Sequence, residues 1–114
     1  MTTITFFKQD DIYKGFTAEG HAGFDDYGKD IVCASISVLI VNTINAISEI
    51  NHEDIECAVD EDEGVIIFNL LSNKEQSSQV LLKALELGLN GIHNEYGKGF
   101  ISIITKEVND YVKA

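Results

Sequence analysis

The run from Ile31 to Ile50, IVCASISVLIVNTINAISEI, constrains this chain more than any other stretch. Its β-branched residues Ile36, Val38, Ile40, Val41, Ile44 and Ile47 favour extended backbone by local propensity. Length argues the other way, because twenty residues are too many for one strand. A helix resolves the conflict, with Val32, Ile36, Leu39, Thr43, Ile47 and Ile50 on one face. Val38, Ile40 and Val41 then fall elsewhere around it. So wide an apolar girth predicts a helix covered on more than one side, with a second subunit as the further cover. Ser35, Ser37, Asn42, Asn45 and Glu49 interrupt the run, which argues against a membrane span.

The flanking segments read as an α+β domain. Thr3 to Phe7 alternates as a strand, Gln9-Asp10-Asp11 turns, and Ile12 to Ala18 returns as its hairpin partner. A loop from Gly20 to Lys29 leads into the long helix. Ile55 to Val59 and Val65 to Leu71 are strands around the acidic turn Asp60 to Gly64. Ser72-Asn73-Lys74-Glu75 reads as a capping box opening a second helix. That helix carries Leu81, Leu85, Ile92 and Tyr96 on one face and stops near Gly97 or Gly99. Gly88 and Gly91 within it either weaken the helix or mark close packing. Phe100 to Thr105 is a last strand. The expected order is strand, strand, helix, strand, strand, helix, strand: two helices on a mainly antiparallel sheet, one compact domain over residues 1–114.

Charge narrows the partners. Nineteen acids against eight bases give a net charge of −11, and every base is a lysine. Without arginine the chain lacks the side chain best suited to bidentate phosphate and guanine contacts, which argues against nucleic acid. A basic protein is the natural partner of such a surface. The acids cluster, with eight among the fifteen residues from Glu49 to Glu63. A solvated helix end and turn explain that cluster without any function. The opening residues MTTITFFKQDD lack the basic start of a secretory signal, and two cysteines make a poor disulfide framework. A cytoplasmic setting is expected.

The chemistry-bearing segment is GHAGFDDYGKDIVCASIS, residues 20 to 37. Asp30 stands where a helix N-cap belongs, which would put Cys33 in the first turn, close to unpaired N–H groups and the positive end of the helix dipole. That setting favours a thiolate, while the Asp30 charge opposes it. His21, twelve residues before Cys33, is the nearest imidazole base. A loop joining a strand end to a helix start can bring the two together, and its glycines let it act as a lid. Ser37, one helical turn beyond Cys33, shares its face. A zinc site at His21 and Cys33 would lack two further ligands. Cys57 reads as a small buried residue in a strand, His52 and His93 as helix-end or surface histidines, and Ser35 as a hydroxyl bonded to a preceding carbonyl. Phe6, Phe7 and Phe16 read as core. A non-catalytic acidic module binding a basic ribosomal or assembly partner is the rival reading, and a redox-sensing thiol a distant third.

Gly20-His21-Ala22-Gly23, Tyr27-Gly28 and Lys29-Asp30-Ile31-Val32-Cys33-Ala34 together resemble the signature of the bacterial ribosomal-processing cysteine proteases, the Prp family. The resemblance extends in length and element order over essentially the whole chain. It implies a homodimeric cytoplasmic endopeptidase without metal or cofactor, with Cys33 as nucleophile and His21 as base. It also implies supporting roles for Asp30 and Ser37. The loop of residues 20–30, with Gly20, Gly23, Phe24 and Gly28, would cover the substrate. The implied substrate is the precursor of a basic large-subunit ribosomal protein, L twenty-seven, whose N-terminal extension is removed by a cut after an aromatic pair and a small residue. The acidic loop interior Phe24-Asp25-Asp26 departs from what the resemblance leads one to expect.

Overall fold

The computed structural model describes residues 1–20, 27–96 and 99–109, with residues 27–30 described by their backbone. Its elements are β1 (Thr2–Gln9), β2 (Ile12–Glu19), α1 (Tyr27–Asn45), β3 (Ile55–Asp60), β4 (Val65–Leu70), α2 (Gln76–Tyr96) and β5 (Ile101–Glu107). This is the expected order. The long apolar run is helical throughout, α1 continuing into one π-helical turn, Ala46–Ile50. Burial of its β-branched residues against the sheet outweighs their preference for extended backbone.

The sheet runs β3-β4-β2-β1-β5. Three neighbouring pairs are antiparallel, and β1 with β5 is parallel. The sheet is therefore mixed, although mainly antiparallel. Each helix makes a crossover between strands that point the same way, α1 from β2 to β3 and α2 from β4 to β5, as parallel strands require. The β1–β2 hairpin turns on Asp10 and Asp11, whose φ angles of 50° and 68° match a two-residue turn with both residues left-handed.

Both helices cover one face. Across the strands Phe6, Phe16 and Phe68 form a row, with centroids 5.7 Å apart for Phe6–Phe16 and 5.1 Å for Phe16–Phe68. On α1 the buried stripe is Val32, Ile36, Ile40, Ile44 and Ile47. Ile40 therefore belongs to the core, and Ile50, expected on that face, is 74% exposed. Within the π-helical turn Ile47 stays buried, while the end of the turn, at Ile50, comes round to solvent. On α2 the buried residues are Ser78, Leu82, Leu85 and Leu89, while Tyr96 is exposed. A Cβ at Gly88 would lie 3.1 Å from Leu39 Cδ1, so this glycine sets the close approach of α2 to α1.

The start of α2 is capped by Glu53 rather than by the expected box. The carboxylate of Glu53 accepts the N–H groups of Lys74 and Glu75 at 2.8 and 3.0 Å. It also accepts the hydroxyls of Ser72 and Ser78 at 2.7 and 2.6 Å. Burial by itself would raise its pKa. The donors from Ser78, Lys74, Glu75 and Ser72 outweigh that and hold it at about 2. The capping charge thus comes from another part of the chain, which no local motif encodes.

Candidate active site

The site forms where β2 ends against the β3–β4 turn. Gly20 has φ +103°, and a Cβ there would collide with the Met1 carbonyl oxygen. Only glycine combines that backbone with that approach. Its N–H donates to the Gly64 carbonyl at 2.9 Å, which ties the end of β2 to the acidic turn.

Beside this tie lies a cleft of about 220 Å³. One wall is α1, contributing Cys33, Ile36, Ser37 and Ile40. Ala18 and Ile66 come from the middle of the sheet and Gly20 follows the end of β2, while Val59 and Asp60 of β3 and Glu61 of the turn form a further rim. The cleft therefore offers a thiol over an apolar floor, with a carboxylate-bearing edge. Such a cavity suits an extended peptide with apolar side chains and nearby positive charge.

Cys33 is half-buried in this cleft, and Ser37 lies one turn along the same wall, as their spacing predicts. Gly20 lines the cleft as well, whereas Gly28 falls in the first turn of α1. His21, Gly23 and Phe24 lie outside the described residues, and with them the His21-to-Cys33 geometry. The N-cap reading of Asp30 is corrected. Helix α1 begins at Tyr27, so Asp30 is already inside it and Cys33 stands in the second turn rather than the first. Gly28 is a poor helix former, but tertiary context readily overrides a propensity of this size. The first-turn N–H groups, which have no intrahelical partner, belong to residues 27–30.

Cys57 is also corrected: it is exposed rather than buried, because β3 is an edge strand that the helices do not reach across. Desolvation of its partly covered thiol pushes the pKa up. Ser35 donates to the Ile31 carbonyl at 2.8 Å, as expected. Phe6 and Phe16 are fully buried and Phe7 partly so. Asp60 and Glu61 read from sequence as a solvated turn. Their place on the rim of the Cys33 cleft is a consequence of the sheet order, which brings β3 and β4 beside β2. Among the described residues no three His, Cys, Asp or Glu side chains gather as a metal site would require.

The family model for cysteine protease Prp matches residues 1–101. The chain belongs to the Prp family. A curated member, the ribosomal processing cysteine protease Prp of Staphylococcus aureus, is 29% identical over 80 residues, 70% of this chain and 76% of that protein. A crystal structure of a Streptococcus mutans protein aligns with TM-score 0.83 at 28% identity, covering 95% of this chain and 96% of that one. The Staphylococcus aureus Prp in complex with a covalently linked product peptide also aligns at TM-score 0.83. There the identity is 26%, covering 93% of this chain and 100% of that one. Two helices on a five-stranded sheet are thus the Prp architecture, and the chain is a member of a cysteine protease family with a ribosomal-processing role.

Proposed function

We propose that this Prp-family protein is an endopeptidase that removes the N-terminal extension of ribosomal protein L twenty-seven, using Cys33 as nucleophile and His21 as general base. The observation that carries this reading is the makeup of the cleft. Of the two cysteines, Cys33 lines it, and Gly20, the covalent neighbour of His21, lines it too. The acidic rim of Asp60 and Glu61 favours a basic substrate.

The chemistry is acyl transfer and needs neither metal nor cofactor. His21 takes the Cys33 proton and the thiolate attacks the scissile carbonyl. The first-turn N–H groups of α1 are the candidate donors to the resulting oxyanion. His21 then protonates the departing amine as the C–N bond breaks, leaving a thioester on Cys33. Water, deprotonated by His21, hydrolyses that thioester and restores the thiol. Asp30 and Ser37 support the pair, and the segment joining β2 to α1 closes over the bound substrate.

The protein acts in this reading as a cytoplasmic homodimer. Support for the dimer comes from the outer face of α1, where Val38 and Val41 are 66% and 50% exposed. Sedimentation of wild type beside Val38→Asp tests it, with a shift to monomer expected in the variant.

The dyad is tested by alkylation. Iodoacetamide should modify Cys33 of the wild type faster than Cys57 near neutral pH, and His21→Ala should erase most of that advantage. Equal Cys33 rates with and without His21 would contradict the assignment.

A further inference from the structure

Strand β3 ends at the cleft, and its outer edge is unpaired among the described residues. The ladder pattern fixes which backbone groups that edge presents. Leu71 N–H donates to the Asp54 carbonyl at 2.8 Å, directly opposite in the register that pairs Ile55 with Leu70. Hydrogen-bonded and non-hydrogen-bonded pairs alternate along an antiparallel ladder. Glu56, Ala58 and Asp60 therefore spend their N–H and C=O groups on β4. Ile55, Cys57 and Val59 point theirs outward, and the same three side chains lie on the helix-covered face, level with Leu70, Phe68 and Ile66.

We propose that the substrate docks as an added strand on this edge, with its backbone pairing to Ile55, Cys57 and Val59 and its chain running on into the Cys33 cleft. The proposal rests on the peptidase reading for the identity of the occupant. Three observations favour an extended basic peptide. The strand is continuous with the cleft, since Val59 and Asp60 belong to both. Cys57 and Val59 offer exposed apolar surface beside the outward-pointing backbone. Acids stand along the strand and its turn, at Glu56, Asp60 and Glu61. Main-chain pairing supplies affinity, alternate side-chain contacts supply selection, and the carboxylates match a lysine-rich segment. The opposite edge strand, β5, does not line the cleft.

Cys57 is a built-in reporter, because it becomes the sole thiol in Cys33→Ala. The experiment measures N-ethylmaleimide modification of Cys57 in that variant, with and without a synthetic L twenty-seven N-terminal peptide whose binding is followed by fluorescence anisotropy. At a peptide concentration ten times Kd the rate should fall by about tenfold, in proportion to the unoccupied fraction. Val59→Pro removes an outward N–H while sparing the β4 ladder, and should weaken binding by about fivefold. An unchanged Cys57 rate with peptide bound overturns the proposal, as does a failure of the peptide to bind. Protection that appears with rising protein concentration before any peptide is added assigns the edge to a second copy and overturns it too. Cleavage by wild type is scored separately. Cleavage without Cys57 protection defeats the docking mode alone, whereas protection without cleavage defeats the peptidase reading alone.

Discussion

The N–H of Gly20 meets the carbonyl of Gly64 at 2.9 Å, and this one bond joins the residue before His21 to the turn that carries Asp60 and Glu61. Both partners line the cleft that holds Cys33. The sheet thereby fixes where the loop leaves the fold. Gly20→Ala should lower stability by about 2 kcal/mol through its left-handed backbone and its collision with Met1. It should lower kcat/KM by about tenfold or more through displacement of His21, the proposed base. Thermal unfolding and peptide cleavage, measured together, check both.

The acidic rim should act on substrate capture rather than on chemistry. Asp60→Asn with Glu61→Gln is expected to raise KM for a lysine-rich peptide about threefold to tenfold at low salt, leaving kcat nearly unchanged. The difference from wild type should shrink as ionic strength rises. A fall in kcat with no change in KM would place these carboxylates in the catalytic step instead.

Glu53 should control acid stability. Its folded pKa, about 2, lies below the ordinary 4.5. A depressed carboxylate contributes its full stabilisation above the unfolded value and loses it as pH falls through the folded one. The contribution is therefore complete above about pH 4.5 and declines from there toward pH 2. Glu53→Ala leaves two N–H groups and two hydroxyls without their acceptor and should cost about 3 kcal/mol at neutral pH. Urea unfolding of the two proteins from pH 7 to 3 should show the gap narrowing as acid rises.

The two interior glycines of α2 should separate cleanly. A Cβ at Gly91 meets nothing within 4 Å, so Gly91→Ala should stabilise by about 0.8 kcal/mol through helix propensity. Gly88→Ala meets Leu39 Cδ1 at 3.1 Å and should gain less, because α1 must give way. Paired melting curves decide it.

Legibility from sequence followed the range of each signal. The seven elements, the hairpin turn and the helical fate of Ile31 to Ile50 rest on local pattern and length, and all were readable. So was Ser37 on the Cys33 face, which needs only the helical period. Three features were not, two of them because they depend on distant partners. Glu53 caps a helix that begins more than twenty residues later, which hid it behind a plausible local box. Cys57 looked buried because the alternation of its strand does not reveal that β3 is an edge. The start of α1 at Tyr27 set aside Asp30 as a cap, since a glycine near a helix start is a weak local vote. The acidic turn carried a readable charge signal, but only the β3-β4-β2 neighbourhood puts it opposite the thiol.

Cleavage of a peptide bond by Cys33 is the centre of the proposed function. Its most direct test is mass spectrometry of a peptide spanning the N-terminal extension of L twenty-seven, incubated with wild type, Cys33→Ser, Cys33→Ala and Cys57→Ser. Cleavage at one bond by wild type and Cys57→Ser, and by neither Cys33 variant, is the predicted result. Intact peptide in all four, with binding retained, would contradict it and leave the cleft as the docking surface of an acidic binding module.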